Sequence, residues 1–191
     1  MCGIAGFYRN QREITFDCKA VVRKMSECMI KRGPDANGIW ISKDITLSHR
    51  RLSILDLDSR SNQPMLSSCG RFTIVFNGEI YNYQSLKRDL EEDGVEFKTF
   101  SDTEVLLALF VANKEEMLTR LRGMFAFAIW DDVLGELFLA RDPYGIKPLY
   151  YTSIESGFLF ASQVKALMSS GLISKKKELA CSTRTLIMPH K

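Results

Sequence analysis

Four apolar segments in the second half of the chain constrain its fold most strongly. They have the sequences GMFAFAIWD, GELFLARD, PLYYT and GFLFAS and begin at Gly123, Gly135, Pro148 and Gly157. Each is short and is bounded by Gly, Asp or Pro, as β-strands are. Their apolar residues follow one another almost without interruption, which is typical of strands that are covered on both faces. The chain is therefore predicted to bury its sheets between other layers.

The remaining segments predict helices and further strands, which can form the layers that cover these sheets. Helical periodicity occurs in FDCKAVVRKMSECMI, NYQSLKRDLEEDG, SDTEVLLALFVA and QVKALMSSG, and Ser101 and Glu104 form an S-x-x-E capping box before the third. Further strands are predicted at CGIAGFY, GIWIS, ITLSH, RLSIL and RFTIVFNGEI. Strands and helices do not alternate regularly, which argues against a doubly wound parallel sheet. Two stacked sheets covered by helices fit this order better.

Composition and charge exclude several classes of function. The chain has 191 residues, 46% of them hydrophobic, and a net charge of only +3, so nucleic-acid binding is not expected. Its five cysteines form no C-x-x-C pair and only two histidines are present, which argues against zinc and against a disulfide framework. No signal peptide is expected at the N-terminus, and no apolar run reaches the ~20 residues of a membrane helix. We therefore expect a cytoplasmic protein without membrane contact.

The N-terminal sequence MCGIAGFY places a thiol at the start of a buried strand. Removal of Met1 would give Cys2 a free α-amine, whose pKa of about 7.7–8.0 suits a general base. A nucleophile at the N-terminus can thus carry its own base and needs no histidine. Cys2 could equally be an incidental residue in a frayed terminus, since a lone cysteine is weak evidence.

Asn77 and Gly78 follow a strongly apolar strand and allow two interpretations. An Asn-Gly pair is a strong signal for a hairpin turn, and on this sequence alone the turn is favoured. The Asn77 amide and the Gly78 N–H could instead donate to the oxyanion of an acyl-transfer reaction.

Charged residues elsewhere could bind the two ends of an α-amino acid. Arg50 and Arg51 are adjacent on a predicted strand, so one is expected to face solvent and the other to point inward toward an anion. Asp102 begins a predicted helix, where it could complement the helix dipole or bind a ligand ammonium group.

Taken together, these segments resemble the class II glutamine amidotransferase domain, an N-terminal-nucleophile hydrolase. Within that class the sequence is most similar to the glutaminase half of glutamine-hydrolysing asparagine synthetases. The resemblance covers residues 2–170 and leaves 171–191 as an atypical C-terminal tail that includes the basic run at Lys175, Lys176 and Lys177. It implies an α+β fold, a four-layer αββα sandwich of two mainly antiparallel sheets. The similarity rests on CGIAG, RGPDANG, LSHRRLSILDL, NGEIYNY, SDTEVLL, GMFAFAIWD, LARDPYGIKPLYY and ASQVKALM, in that order.

The resemblance also implies a role for each candidate site residue. Cys2 would be the nucleophile, with the Asn77 side chain and the Gly78 N–H as oxyanion donors. Five further residues would bind glutamine: Arg51 at its α-carboxylate, Glu79 and Asp102 at its α-amino group, and Leu52 and Ile54 along the pocket. The implied reaction is hydrolysis of L-glutamine to L-glutamate and ammonia through a Cys2 γ-glutamyl thioester.

No cofactor or metal is expected for this reaction, because ATP and Mg²⁺ belong to the synthetase domain of the family, whose pyrophosphate-loop motif does not occur in this sequence. The expected partners are L-glutamine and a synthetase domain or subunit that accepts ammonia, and a homodimer is left open. Two alternatives also stay open: a non-catalytic module of the same fold that binds a partner or an amino acid, and a truncated, inactive product.

Overall fold

The computed structural model describes residues 1–10, 14–173, 180–181 and 186–188, and their strands form two antiparallel sheets. In the six-stranded first sheet, the N-terminal strand lies at an interior position, with Gly3 opposite Arg50 on one side and Ala5 opposite Ala161 on the other. The order across this sheet is β10 (Ala180–Cys181), β8 (Tyr150–Ile154), β9 (Gly157–Ala161), β1 (Gly3–Arg9), β3 (Ile45–Arg51) and β2 (Ala36–Ile41).

The second sheet has five strands within the described residues. Its two longest strands pair over nine residues, from Phe72 opposite Asp131 to Ile80 opposite Gly123. The order is β11 (Leu186–Met188), β7 (Glu136–Arg141), β6 (Gly123–Asp131), β5 (Phe72–Ile80) and β4 (Met65–Leu66).

Among the described residues, four helices cover the outer faces of the two sheets. Helices α1 (Cys18–Glu27) and α4 (Val164–Ser169) pack on the first sheet, and α2 (Tyr83–Glu92) and α3 (Asp102–Asn113) pack on the second. Short 3-10 segments occur at Ser59–Ser61 and Lys114–Arg120. The predicted α+β class and αββα sandwich are confirmed. Within the described residues, no helix combines the length and the apolar character needed to cross a membrane.

The core between the sheets explains why so many strands are apolar on both faces. One face of each sheet packs against the other sheet, and the opposite face packs against helices. In β5, for example, Val75 lies in the core between the sheets while Ile74 and Phe76 lie in the core beneath α2 and α3. Because side chains alternate between the two faces of a strand, Asn77 points to the same face of β5 as Val75, between the sheets. The site described below is found there.

Local signals set the helix ends as the sequence predicts, with one difference. The Ser101 hydroxyl accepts a hydrogen bond from the Glu104 N–H at 3.3 Å, which is one half of the expected capping box. The Glu104 carboxylate does not return to Ser101 but accepts from the N–H groups of Lys98 and Thr99. At the end of α2, Gly94 adopts a positive φ of 86°, a conformation that favours glycine.

Two predictions about strands are wrong. The segment RLSIL is not a strand, because β3 ends at Arg51 and residues 52–55 form an irregular loop whose Ile54 is 72% exposed. Asn77 and Gly78 do not form a turn. Both lie inside β5, where they pair with Ala126 and Phe125 of β6.

The predicted boundaries of 2–170 for the domain and 171–191 for the tail stay a prediction. The basic run at Lys175, Lys176 and Lys177 lies outside the described residues, as does most of the tail. The described tail residues are 171–173, β10 and β11, and the two strands pair with β8 and β7.

Candidate active site

A cavity of about 240 Å³ lies at the point where the ends of β1, β3 and β5 meet. It is bordered by the loop that follows β3 and by the start of α3. The structure brings all eight sequence-predicted site residues together around this one cavity: Cys2, Arg51, Leu52, Ile54, Asn77, Gly78, Glu79 and Asp102.

The Cys2 thiol faces the cavity from the residue before β1. Its Sγ accepts a hydrogen bond from the Leu52 N–H at 3.4 Å and lies 3.7 Å from the Leu52 carbonyl oxygen. Burial raises the pKa of the thiol, although the Leu52 N–H and the positive charge of Arg51 act in the opposite direction. The thiol is therefore protonated at neutral pH and needs a base before it can act as a nucleophile.

The N-terminal amine lies beside this thiol. The pKa of the amine, which belongs to Met1 in this chain, is lowered from 8.0 by burial and further by the positive charges of Arg32 and Lys147. This pKa concerns the Met1 amine alone, and the α-amine that removal of Met1 would expose on Cys2 is a different group.

The RGPD segment fixes the N-terminus against the end of β3. The Arg32 Nε–H donates to the Cys2 carbonyl oxygen at 2.7 Å. The Asp35 N–H donates to the Arg51 carbonyl at 3.0 Å. The Asp35 carboxylate accepts from the Ser53 N–H at 2.7 Å. One short segment thus holds both the residue that carries the thiol and the loop that contacts it.

Asn77 and Gly78 present hydrogen-bond donors at the cavity. Asn77 is 1% exposed, and within the described residues its Nδ2 has no hydrogen-bond partner. A buried amide without an acceptor is costly, so it marks a place where a ligand oxygen would be bound. Gly78 cannot carry a side chain, because an added Cβ would lie 2.4 Å from the Met124 carbonyl oxygen and 2.8 Å from the Phe125 Cα.

Both adjacent arginines are buried, so the prediction that one of them faces solvent is wrong. Arg50 points toward α1 and donates to the Ser26 hydroxyl at 3.1 Å. Arg51 points to the opposite face, where the loop after β3 covers it. The expectation failed because each face of β3 is covered by a different element, and each covering element supplies oxygen acceptors.

The Arg51 guanidinium is held by neutral oxygens. It donates to the Asn62 side-chain oxygen at 2.7 Å and to the carbonyls of Asp58 at 3.0 Å and Leu55 at 3.3 Å, and it also contacts the Asp56 carbonyl. No salt bridge joins Arg51 to a carboxylate of the described residues. Its charge is thus not neutralised by an ion pair and is available to attract an anion.

Asp102 supplies an acidic group at the same cavity. One carboxylate oxygen accepts from the Ile80 N–H at 3.1 Å, which fixes the side chain at the end of β5. Burial, reinforced by the nearby charge of Glu79, raises the pKa of Asp102 from 3.8 to about 6. The cavity is therefore lined both by the cationic Arg51 and by two acidic residues, Glu79 and Asp102.

Several cavity residues were not anticipated from the sequence, among them His49, Gln63, Thr103 and Lys147. His49 could have been found, because it lies two positions before Arg51 on one strand and so shares its face. Lys147 is only 7% exposed and comes from the loop after β7, whose turn is held by Asp142. Nothing in the local sequence indicates that this loop returns to the N-terminus.

Comparisons with known proteins agree with this arrangement. The family model described as "Glutamine amidotransferase domain" matches residues 1–188. The chain therefore belongs to the class II glutamine amidotransferase domain family.

Among its relatives are asparagine synthetases. The chain is 45% identical over 169 residues to asparagine synthetase [glutamine-hydrolyzing] 1 of Bacillus subtilis, a match that covers 88% of this chain and 27% of the relative. It is 37% identical over 171 residues to asparagine synthetase [glutamine-hydrolyzing] 3 of the same organism, covering 88% and 28%. The chain thus spans about a quarter of the length of these curated relatives.

A solved structure of similar fold is the glutamine phosphoribosylpyrophosphate amidotransferase of B. subtilis in complex with ADP and GMP. It superposes with a TM-score of 0.77 at 20% identity, over 100% of this chain and 49% of that one. At this identity the likeness concerns the fold alone.

Proposed function

We propose that this domain hydrolyses L-glutamine to L-glutamate and ammonia, with Cys2 as the nucleophile. The observation that carries the proposal is the Asn77 Nδ2, which is buried at the same cavity as the Cys2 thiol and has no hydrogen-bond partner among the described residues. A donor of this kind suits the negative oxygen that forms when a thiolate attacks an amide carbonyl.

The charges of the cavity suit the two ends of glutamine. The Arg51 guanidinium would attract the α-carboxylate, and within the described residues its Nε–H has no acceptor. Ionised Asp102, together with Glu79, would bind the α-ammonium group. Glutamine held at both charged ends would extend its side-chain amide toward Cys2.

The reaction proceeds in two halves. After removal of Met1, the α-amine of Cys2 takes the thiol proton, and the thiolate adds to the glutamine side-chain carbonyl. Asn77 and the Gly78 N–H stabilise the resulting oxyanion. The protonated amine then gives its proton to the leaving nitrogen, which departs as ammonia. Water attacks the remaining γ-glutamyl thioester, the amine again acting as the base, and glutamate is released with the thiol restored.

No step of this chemistry requires a metal ion or an organic cofactor. We propose that the ammonia is passed to a synthetase domain or subunit, because the similar B. subtilis relatives are asparagine synthetases and this chain spans only about a quarter of their length. ATP and Mg²⁺ would be needed by that acceptor and not by this domain.

The test is an assay of glutamate release from L-glutamine, with Cys2→Ala and Asn77→Ala as variants. Cys2→Ala should abolish release. Asn77→Ala should lower kcat about 10²- to 10³-fold, which is the typical effect of removing one oxyanion donor. Glutamate release that persists in Cys2→Ala would refute the mechanism. A wild-type protein that binds glutamine without turnover would support the non-catalytic alternative.

A further inference from the structure

In the part of the chain that the structure describes, one edge of β5 lacks a neighbouring strand beside the candidate oxyanion site. In the described part of the chain, β4 pairs with β5 only at Thr73 and Ile74, whereas β6 pairs with all nine β5 residues on the other edge. Buried backbone groups on an unpaired edge need other hydrogen-bond partners. At Phe76 and Ile80, side chains supply them.

Two buried side chains bind the peptide groups of Phe76. The Gln63 Oε1 accepts from the Phe76 N–H at 2.6 Å, and the His49 Nε2 lies 3.1 Å from the Phe76 carbonyl oxygen. The Gln63 Nε2 also donates to the Thr103 hydroxyl at 3.1 Å. Phe76 is thus tied to β3 of the first sheet through His49 and to α3 through Gln63.

The protonation state of His49 follows from its surroundings. Burial lowers the pKa of the ring to about 3, so the imidazole is neutral at physiological pH. A carbonyl oxygen can only accept a hydrogen bond, so the single ring proton lies on Nε2. His49 is therefore a fixed donor to the strand and does not titrate near neutral pH.

The same edge carries the Gly78 N–H. Backbone groups of a strand alternate between its two edges, so Phe76, Gly78 and Ile80 direct theirs to the same side. The N–H of Phe76 is bound by Gln63 and that of Ile80 by Asp102. Gly78 thus lies between two anchored residues, and Asn77 directly follows the first of them.

We propose that His49 and Gln63 are positioning residues that hold the Phe76 peptide in place, so that Asn77 and Gly78 remain aimed at the oxyanion. The inference rests on the proposed function and extends it to two residues that need not touch the reacting atoms. A displacement of about 1 Å at a catalytic group can cost about 10²-fold in rate, so the effect of losing this support should be measurable.

The experiment compares matched variants in the glutaminase assay. His49→Leu removes the donor and puts an apolar side chain in its place, whereas His49→Gln keeps an N–H near the position of Nε2. Gln63→Leu and Gln63→Glu form a second pair, because glutamate retains an acceptor for the Phe76 N–H. If His49→Leu does not fold, His49→Asn, whose amide is too short to reach, replaces it.

We expect kcat to fall at least about tenfold in His49→Leu and in Gln63→Leu, with the KM for glutamine within about twofold of the wild-type value. His49→Gln and Gln63→Glu should recover most of the loss. Alkylation of Cys2 by iodoacetamide, which involves no oxyanion, should keep its wild-type rate in all four variants. This readout separates a misplaced oxyanion site from a general collapse of the cavity.

The inference is overturned if the leucine variants keep the wild-type kcat, if the loss appears in KM or in the alkylation rate, or if the glutamine and glutamate variants do not recover activity. A wild-type protein without Cys2-dependent glutamate release would refute the proposed function itself, and the inference with it. Active wild-type protein with unaffected leucine variants would refute the inference alone.

Discussion

We expect the ionised Asp102 carboxylate to lower the free energy of unfolding and to bind the substrate. Replacing Asp102 with Asn should therefore raise both the free energy of unfolding and the KM for glutamine. Asp102 is 5% exposed, and its pKa rises from 3.8 in an ordinary environment to about 6 in the folded protein. The difference of about two pH units, at about 1.4 kcal/mol for each, means that the ionised carboxylate destabilises the fold by about 3 kcal/mol at neutral pH. Asp102→Asn removes the charge and retains an oxygen that can accept from the Ile80 N–H.

The sign of the pH dependence follows from the raised pKa. At a pH below the pKa of Asp102 in the unfolded chain, the carboxyl is protonated in both the folded and the unfolded state. Ionisation then costs the fold nothing, and the free energy of unfolding is at its highest. As the pH rises from about 4 to about 6, the unfolded chain loses the proton first and stability falls, and above this range the penalty is constant. Asp102→Asn should therefore match the wild type near pH 4 and exceed its free energy of unfolding by up to about 3 kcal/mol near pH 7.5.

Urea unfolding at the two pH values measures this difference, and Glu92→Gln is the control because it changes an exposed carboxylate of α2. The same Asp102→Asn protein should show a glutamine KM about tenfold to hundredfold higher, because it loses a charge-assisted bond to the substrate ammonium group. Equal stability of variant and wild type near pH 7.5 would refute the argument from burial. An unchanged KM would refute the role of Asp102 in binding glutamine.

Three other variants test separate parts of the structure. Gly78→Ala should lower kcat at least about 10²-fold in the glutamate assay. The added Cβ would lie 2.4 Å from the Met124 carbonyl oxygen and would displace the oxyanion donor. Turnover at the wild-type rate would contradict this. Phe127→Ala empties a fully buried position in the second sheet and should cost about 3–5 kcal/mol in urea unfolding, and a loss below about 1 kcal/mol would show that the core collapses around the gap. Arg32→Met removes the hydrogen bond to the Cys2 carbonyl and should lower glutamine turnover at least about tenfold, with Arg32→Lys recovering part of it.

The layers of the fold could be predicted because strands that are buried on both faces have continuous apolar sequences. The continuous apolar runs of β6, β7 and β9 predict strands between two layers, and the structure places them there. The segment RLSIL misled the prediction for a related reason. Its apolar residues belong to a loop beside the cavity, where Ile54 is largely exposed, and periodicity alone does not distinguish such a loop from a strand.

The sequence predicted which residues form the candidate site, but not which of them are in contact with one another. Family motifs identified Cys2 and Asn77, and both line the cavity. The contact between Cys2 and Leu52 joins residues 50 positions apart, and no local pattern encodes such a distance. Lys147 was missed for the same reason, because the loop after β7 reaches the cavity only in the folded chain. His49 was missed although its position on the same face of β3 as Arg51 could have indicated it.

The central claim is that Cys2 forms a γ-glutamyl thioester, and the intact mass of the protein tests it most directly. The mass is measured first for the purified chain and again after mixing with L-glutamine and quenching in acid, with Cys2→Ala treated in parallel. The account predicts a chain that has lost Met1 and, after mixing, a species heavier by one γ-glutamyl group that is absent in Cys2→Ala. A chain that has lost Met1 and releases glutamate without this species, or that forms it equally in Cys2→Ala, would contradict the account.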